Sequence, residues 1–476
     1  MKTVVKDYKN LVIYTLLVVF IIVFSSLFTQ AEEVNEITLE KAIEVAYENN
    51  YQLKQAERTK DKSELDLSLA WRSLFPELKL ESNYTRMSDA PTTPSEYGLL
   101  PTGTEEVKDP EGNTIPVNTY KMFPTEQKEL SNENYQTSLS FTQPIYMGGQ
   151  IRLGIKQAKT GLEMAELQNE QKKAEVLNKI INSYYNLLMA KERVDIEKSA
   201  LSLVKEHKNI AQASYEAGVA LKTDVLQAEI ELAKAENSLK NAKNQLELAK
   251  KSFKNQIGLD KDKRIRVSEP NISPEINLKE KELYKKAVAK NTDLQLMNLN
   301  KKVTETNLKM EERSKFPQIM LIGNYNWQGE ELDFENGSGN LVLSASMSLF
   351  DGGKSSIKES KIEKDLKNIE ENKENLKDML SLDIEQQLTK INKHKDNIKL
   401  QNMNLNKAEE SLEIEEKRFK EGMAKSVDVL QAHTTLKQIK MSKMQAENQY
   451  EIALFEMLNK TGQLVDYCEE VINNEK

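Results

Sequence analysis

The chain has 476 residues, of which 38% are hydrophobic, 30% charged and 6% aromatic, with a formal net charge of −8. That balance is thin for compact globules and suits long, solvated helices, so a mainly helical, elongated chain is expected. The acidic surplus disfavours nucleic acid as a partner, and a single cysteine, Cys468, excludes an internal disulfide framework.

The chain opens with Lys2, Lys6 and Lys9, an unbroken apolar run from Leu11 to Phe28, and the small-residue exit Thr29-Gln30-Ala31. Residues 1–31 therefore read as a signal peptide. A run of about 18 apolar residues is also long enough for a retained membrane anchor; the exit and the acidic Glu32-Glu33 that follow favour cleavage. Loss of three lysines and Asp7 with the leader takes the net charge to −10.

From Leu39 to Phe75 the composition favours helix. Leu78, Leu80 and Tyr84 then alternate with polar residues, as Tyr135, Thr137, Leu139 and Phe141 do further on, and period two marks strands. Between them, residues 85–134 hold six of the eleven prolines and are expected to be an irregular loop. No proline occurs from Ile145 to Glu269, so Gln150 to Ala217 can run as one helix of roughly 100 Å, followed by a turn and a helix from Thr223 to Ile257.

The same order then recurs. Helix is expected from Leu278 to Phe316. Strands carry Ile319, Leu321, Tyr325 and Trp327, and then Leu341, Leu343, Ala345, Met347 and Leu349. Helices follow from Lys354 to Glu421 and Val427 to Leu458. Asn50, Pro76 and Asn83-Tyr84 match Asn291, Pro317 and Asn324-Tyr325, each pair 241 positions apart, as 291 is from 50. Gly148-Gly149, Gly218, Asp224-Val-Leu-Gln-Ala and Gly258 match Gly352-Gly353, Gly422, Asp428-Val-Leu-Gln-Ala and Gly462, now 204 apart, as 422 is from 218. The difference falls in the proline-rich loop, which the second copy lacks. The chain thus divides into the leader, a first repeat over 32–262, a second over 263–462 and a tail over 463–476.

Four alternating segments of about ten residues are the length that tilted membrane strands need. They could equally form two soluble hairpins on a helical body; the leader and the aromatic strand ends favour the membrane. If they span, the edge strands cannot leave backbone groups unpaired in lipid, and one chain has too few strands to close a barrel. Two, three or four copies would supply eight, twelve or sixteen.

One helix carries a clear heptad seam, Val225, Leu232, Leu239, Leu246 and Phe253, interleaved with Ala228, Ala235, Ala242 and Ala249. Its copy keeps Val429, Ala432, Leu436, Ala446 and Ala453 but places Lys443 on the seam, where it needs solvent or a partner. The Lys- and Glu-rich remaining faces read as solvated surface. His207, His394 and His433 lack metal-ligand spacing and the Gly-Gly pairs lack a phosphate-loop context, so neither metal, cofactor nor catalysis is expected.

Two copies with paired strands, a strand-to-helix junction of the form Tyr146-Met-Gly-Gly149 and Phe350-Asp-Gly-Gly353, and a late helix opening in Asp-Val-Leu-Gln-Ala resemble the TolC family of outer-membrane factors. The resemblance covers essentially the whole chain after the leader. It implies a homotrimer in the outer membrane with a large periplasmic part, in which four strands per chain build a twelve-stranded membrane β-barrel continuous with a long α-helical barrel. It further implies that the turns at Gly218-Val219 and Gly422-Met423 dock a periplasmic adaptor protein, itself joined to an inner-membrane transporter. Thr223 and Asp224 match one side of the family's entrance latch. The other side departs, with Phe419 at a tyrosine position and Ala424, beside Lys425, at an arginine position. Asp428 matches one constriction ring of aspartates, while Gln431 replaces the second.

Asp224 and Asp428 also suit helix N-termini by capping and by the helix dipole, and the two roles are compatible. The function implied is a passive outer-membrane conduit of a tripartite efflux pump or type I secretion system. The competing reading is a secreted coiled-coil scaffold or adhesin without a pore.

Overall fold

The structure is a computed structural model that describes residues 35–474 apart from 90–96, 125–131, 261, 271, 330, 332–334 and 336. The expected leader lies outside the described residues. Among those described, no helix is long and apolar enough to cross a membrane. The chain forms two compact units, one from Met1–Leu65, Lys159–Thr304 and Lys364–Lys476, the other from Asp66–Ala158 and Glu305–Glu363. Each unit draws on both sequence copies.

In chain order, β1 (Asn35–Ile37), α1 (Leu39–Asn49), α2 (Tyr51–Arg72) and β2 (Glu77–Arg86) come first. There follow β3 (Tyr97–Lys108), β4 (Thr114–Pro124), β5 (Glu133–Met147), α3 (Gln150–Glu216) and α4 (Lys222–Ile257). The second half holds β6 (Ile265–Val267), α5 (Glu280–Lys290), α6 (Thr292–Arg313), β7 (Gln318–Gly329), β8 (Ser338–Ser346), α7 (Lys354–Lys420), α8 (Ser426–Lys460) and α9 (Leu464–Asn474). Helix starts repeat at the two sequence offsets: Leu39 and Glu280, Tyr51 and Thr292, then Gln150 and Lys354, Lys222 and Ser426.

Two expected helices are each broken in two, and an asparagine does it both times. Asn50 adopts extended backbone (φ −67°, ψ 125°), its Oδ1 accepts from the Gln52 and Leu53 amides at 2.8 and 3.2 Å, and its Nδ2 donates to the Gln256 carbonyl at 2.7 Å. It ends α1, caps α2 and ties both to α4. Asn291 repeats the break (φ −62°, ψ 120°) and accepts from the Leu294 amide at 2.9 Å. The tail, left without structure in the sequence reading, is helix α9, whose Leu464 and Cys468 are fully buried. Burial also pushes the Cys468 thiol up to about 12.

The first unit's largest core lies where α3, α4, α8 and α9 converge on α1 and the parallel β1–β6 pair. Tyr184 and Tyr185 of α3 fill it, 5.8 Å from the Phe253 ring and 6.2 Å from the Phe455 ring respectively, and Tyr184 donates to the Ser268 carbonyl at 2.7 Å. Large apolar rings removed from water dominate such a core. All nine heptad positions of α4 are buried or half-buried while the residues between them are mostly exposed. Lys443, on the equivalent seam of α8, is half-buried and pairs with Glu447 at 3.4 Å.

In the second unit β2, β5, β7 and β8 form an antiparallel sheet in the order β2-β5-β7-β8. The pairings Leu78–Phe141, Leu80–Leu139 and Tyr84–Tyr135, Leu139–Tyr325 and Thr137–Trp327, and Leu321–Leu343 and Gly323–Leu341 place the alternating apolar sets of all four strands on one face. Lys79, Glu81, Ser138, Ser140, Asn324, Asn326 and Asn340 occupy the other. Met347 and Leu349 lie beyond β8, contrary to expectation: the ladder stops where Gln318 meets Ser346, because the residue before Gln318 is Pro317, which has no amide to donate.

The expected irregular loop is another correction. Its described residues hold a second antiparallel pair, β3–β4, bulged between Pro101 and Gly103. Asp109 closes its turn by accepting from the Glu111 and Asn113 amides at 3.0 and 2.9 Å. In a two-stranded ribbon each strand has a free edge, so Pro101 and Pro116 are tolerated there as they would not be within a wider sheet.

Glycines mark where the copies pack. Gly258 (φ +72°) and Gly462 (φ +66°) follow α4 and α8, and a Cβ on them would stand 2.6 Å from the Asn49 carbonyl oxygen and 2.7 Å from that of Lys290. Gly161, within α3, has open space around it. Gly258→Ala is expected to lower the melting temperature by at least 5 °C, from left-handed strain plus collision with backbone, whereas Gly161→Ala should raise it by about 1–3 °C through helix propensity. Thermal unfolding followed by circular dichroism checks both signs.

Candidate functional site

The residues singled out by sequence gather at the two helix–helix turns of the first unit. Each turn closes in the same way. The Val219 amide donates to the Ser214 carbonyl at 2.9 Å and Met423 to Arg418 at 2.8 Å, with Gly218 (φ +78°) and Gly422 (φ +72°) supplying the left-handed residue that ends the helix. The turns are neighbours, since a Cβ on Gly422 would lie 3.4 Å from Val219 Cγ1. Val219 and Met423 are 65% and 61% exposed, so both tips present apolar side chains to solvent.

Immediately after each turn an aspartate caps the returning helix. Asp224 Oδ2 accepts from the Leu221 amide and Asp428 Oδ2 from the Lys425 amide, both at 3.0 Å. The carboxylates thereby satisfy amides left without helical partners and sit at the positive end of the dipole. Thr223, Asp428 and Gln431 are exposed and Asp224 is half-exposed.

Phe419 behaves differently: it is 7% exposed and belongs to an apolar cluster with Ala211, Ala228, Leu412, Val429 and Leu436 that binds α3, α4, α7 and α8 together beneath the turns. Its place is in the packing under the tip, not at an exposed latch position. Ala424 packs against the same cluster.

Two histidines that look scattered in sequence meet here. His207 of α3 lies 4.9 Å from the Phe419 ring and 6.3 Å from the His433 ring, and its Nε2 shares a 2.8 Å hydrogen bond with the Ser426 hydroxyl at the start of α8. His207 is pushed down to about 4 by burial and by His433, against an opposing pull from Asp224. His433 is lowered too, by burial against an opposing pull from Glu206; the Glu416 carboxylate lies 3.5 Å from its Nε2, and burial raises Glu416. His394 is half-buried elsewhere on α7. Among the described residues no group of three or more His, Cys, Asp or Glu could hold a metal ion. The trace of the His207 pin in sequence is a lone histidine on a long helix, which carries no long-range information.

The remaining predicted positions are in the second unit. Gly148, Gly149, Gly352 and Gly353 all have positive φ, between +63° and +88°, and turn each second strand into its long helix. Asp351 reinforces the second junction by accepting from the Gly353 and Ser355 amides at 2.9 and 2.8 Å. A Cβ on Gly148 would stand 2.8 Å from the Arg313 carbonyl, while Gly352 has nothing within 4 Å.

The chain thus combines an apolar-faced antiparallel sheet with duplicated long helices and capped helical turns. Residues 42–259 and 283–463 match the model of the outer membrane efflux protein family, and the chain belongs to that family. That family is one of outer membrane proteins, and the chain is assigned to the outer membrane with it. It is 23% identical over 231 residues to toxin and drug export protein A of Aggregatibacter actinomycetemcomitans, covering 46% of this chain and 50% of that protein. It is 27% identical over 123 residues to the outer membrane protein TolC of Escherichia coli K12, covering 26% and 25%. The chain thus matches half or less of the length of these relatives. Among solved structures, the outer membrane protein VceC of Vibrio cholerae superposes with a TM-score of 0.67 at 17% identity, covering 89% of this chain and 96% of that one, which establishes the common fold.

The sign of the histidine shift sets an acid dependence. Folded-state His207 titrates well below the usual 6.5, so the unfolded form binds the proton first, and stability is lost as pH falls from about 6.5 to about 4. The loss is on the order of 3 kcal/mol for this group. After correction for the intrinsic exchange rate, the protection of residues 205–235 and 408–436 is expected to fall between pH 7 and pH 5 more than that of the Tyr184–Phe253 core, and His207→Gln should blunt the difference; an equal fall in both regions would remove the effect.

Proposed function

We propose that three copies of this chain assemble into a passive conduit across the outer membrane and periplasm. Their sheets join into a twelve-stranded barrel, and the turns at Gly218-Val219 and Gly422-Met423 engage the adaptor of a tripartite pump or type I secretion system. The observation that carries this reading is the β2-β5-β7-β8 sheet: one face apolar, one largely polar, and an open edge at β2 and at β8. In lipid those edges need partners, and another copy of the same sheet provides them.

Energy for transport comes from the inner-membrane transporter in this scheme, and the substrate is chosen there. The toxin and drug export named for the Aggregatibacter relative supports export as the process. Residues 1–31 act as the cleaved leader, and the repeats 32–262 and 263–462, with the tail 463–476, are the units of duplication.

Thr223, Asp224, Asp428 and Gln431 form the entrance constriction, with Phe419 supporting it from beneath. The exposed tip residues Val219 and Met423 supply the adaptor's apolar contacts. Only Asp428 stands at a ring position as a carboxylate, so a trimer carries three charges there, enough to favour cations.

Strand register makes the closure testable. The hairpins β2–β5 and β7–β8 have the same register once the offsets of 241 and 204 are applied, for Glu77 faces Thr142 as Gln318 faces Ser346. Carrying the β5–β7 pairing Leu139–Tyr325 through those offsets sets Leu343 of β8 opposite Tyr84 of a neighbouring copy's β2. Leu343→Cys with Tyr84→Cys should cross-link oxidised chains into dimers and trimers in the membrane, and Leu341→Cys with Tyr84→Cys should not. Monomers from the first pair would refute this closure.

Conduction is tested in planar bilayers. Asp428→Asn keeps an amide oxygen able to cap the helix while removing the charge, so cation preference should fall by at least twofold with the melting temperature unchanged. Unaltered selectivity would take Asp428 out of the constriction, and a water-soluble monomer without conductance would return the chain to the scaffold reading.

A further inference from the structure

In the first unit, α3, the C-terminal half of α4 and the segment running into β6 line a half-open cavity of about 680 Å³. Five lysines and two arginines line it against one glutamate and one aspartate, in a chain whose net charge is −8. Glu247 is paired with Lys250 at 2.8 Å, which leaves the excess of cations unchanged.

The cations are positioned rather than merely crowded. Lys254 is only 9% exposed and donates to the Lys263 carbonyl at 3.1 Å. Lys191 donates to the Val267 carbonyl at 3.1 Å. Both ammonium groups are therefore held at the cavity wall by backbone oxygens. Ile265 and Val267, 7% and 5% exposed, give the cavity an apolar floor, which strengthens any charge interaction made above it. Arg266 lies between them on β6 and Arg264 just precedes that strand; both are exposed.

Duplication supplies the comparison. At the offset of 204, Lys250, Lys251 and Lys254 correspond to Leu454, Phe455 and Leu458, all buried in apolar packing. The fold at this level does not require positive charge, and one copy alone carries it.

We propose that this cavity binds a soluble multivalent anion of the class bearing two or more adjacent phosphate groups. The volume exceeds what one phosphate fills, and planar guanidinium forks beside lysine ammonium groups suit clustered phosphate oxygens. The site is independent of the conduit reading, since it uses neither the tips nor the sheet.

The test is calorimetric titration of the full-length mature protein in detergent with inorganic triphosphate. One saturable site per chain is expected, with affinity falling at least tenfold from about 50 to about 300 mM salt. Lys250→Gln with Arg266→Gln, two side chains at the cavity's edge, should weaken binding at least tenfold while leaving oligomeric state and the cooperative unfolding transition intact. Should that variant misfold, Lys251→Gln with Lys263→Gln, both exposed, serves in its place. Sub-micellar dihexanoyl phosphatidylglycerol added in competition separates the sources: displacement assigns the site to a lipid headgroup, and no displacement to a free phosphate compound. Absence of triphosphate binding, or equal binding by the variants, overturns the proposal.

Discussion

An unpaired backbone amide or carbonyl in hydrocarbon costs several kcal/mol, and a sheet edge is a row of them. This protein's sheet has four strands with one apolar face, enough to resemble a barrel wall and too few to be one. That mismatch between what the strands demand and what one chain supplies governs the rest. It explains why the apolar side chains of β2 and β8 stand in the open, with Leu80 and Leu343 each 67% exposed, and why the chain is organised as two copies whose hairpins share a register. A repeated hairpin can meet a further copy in the same way as it meets its own duplicate, so the intrachain β5–β7 pairing already contains the geometry of an interchain β8–β2 pairing.

The helical part solves a different problem, since helices satisfy their own backbone bonds and need only side-chain packing and clean ends. Ends are set here by few residues used twice. Asn50 and Asn291 break the shorter helices, Gly218 and Gly422 end the long ones, Asp224 and Asp428 start the returning ones, and Gly258 and Gly462 let α4 and α8 finish against the backbone of the opening helices. Between those points, heptad spacing of large and small residues lets the helices approach closely.

Most of this was legible because it is periodic or local. Alternation over Leu78–Tyr84 and Leu341–Ala345, heptads over Val225–Phe253, and glycines ahead of Asp-Val-Leu-Gln-Ala are signals that a strand, a coiled-coil seam and a helical turn each need. What failed did so for identifiable reasons. Asn50 and Asn291 were visible as a matched pair, yet their force as breaks depends on hydrogen bonds such as that from Asn50 to Gln256, far away in sequence. Prolines made residues 85–134 look irregular because proline excludes central strands but not a two-stranded ribbon. At the candidate site, the exposed Thr223, Asp428 and Gln431 and the tip glycines are where local signals put them, whereas the burial of Phe419 and the meeting of His207, Ser426 and His433 are tertiary facts with no local signature.

Equivalent residues of the two copies do not share equivalent surroundings, and the difference has a pattern. Gly148 is pressed against the Arg313 carbonyl while Gly352 meets nothing. Phe316 is 43% exposed and its counterpart Phe75 67%; Phe419 is buried, and its counterpart Tyr215 is 40% exposed with the Lys222 ammonium 5.4 Å from its ring centroid. In each pair one member is more enclosed by the chain than the other. Were these differences mere drift after duplication, the more exposed member would be expected to turn polar, because exposed aromatic surface carries an aggregation hazard. Phe75 and Tyr215 remain large and aromatic, and Gly352 keeps the open space that Gly148 has given up to backbone. Duplicated sequence thus does not give duplicated packing: Gly148, Phe316 and Phe419 are the more enclosed members of their pairs, and Gly352, Phe75 and Tyr215 the more open.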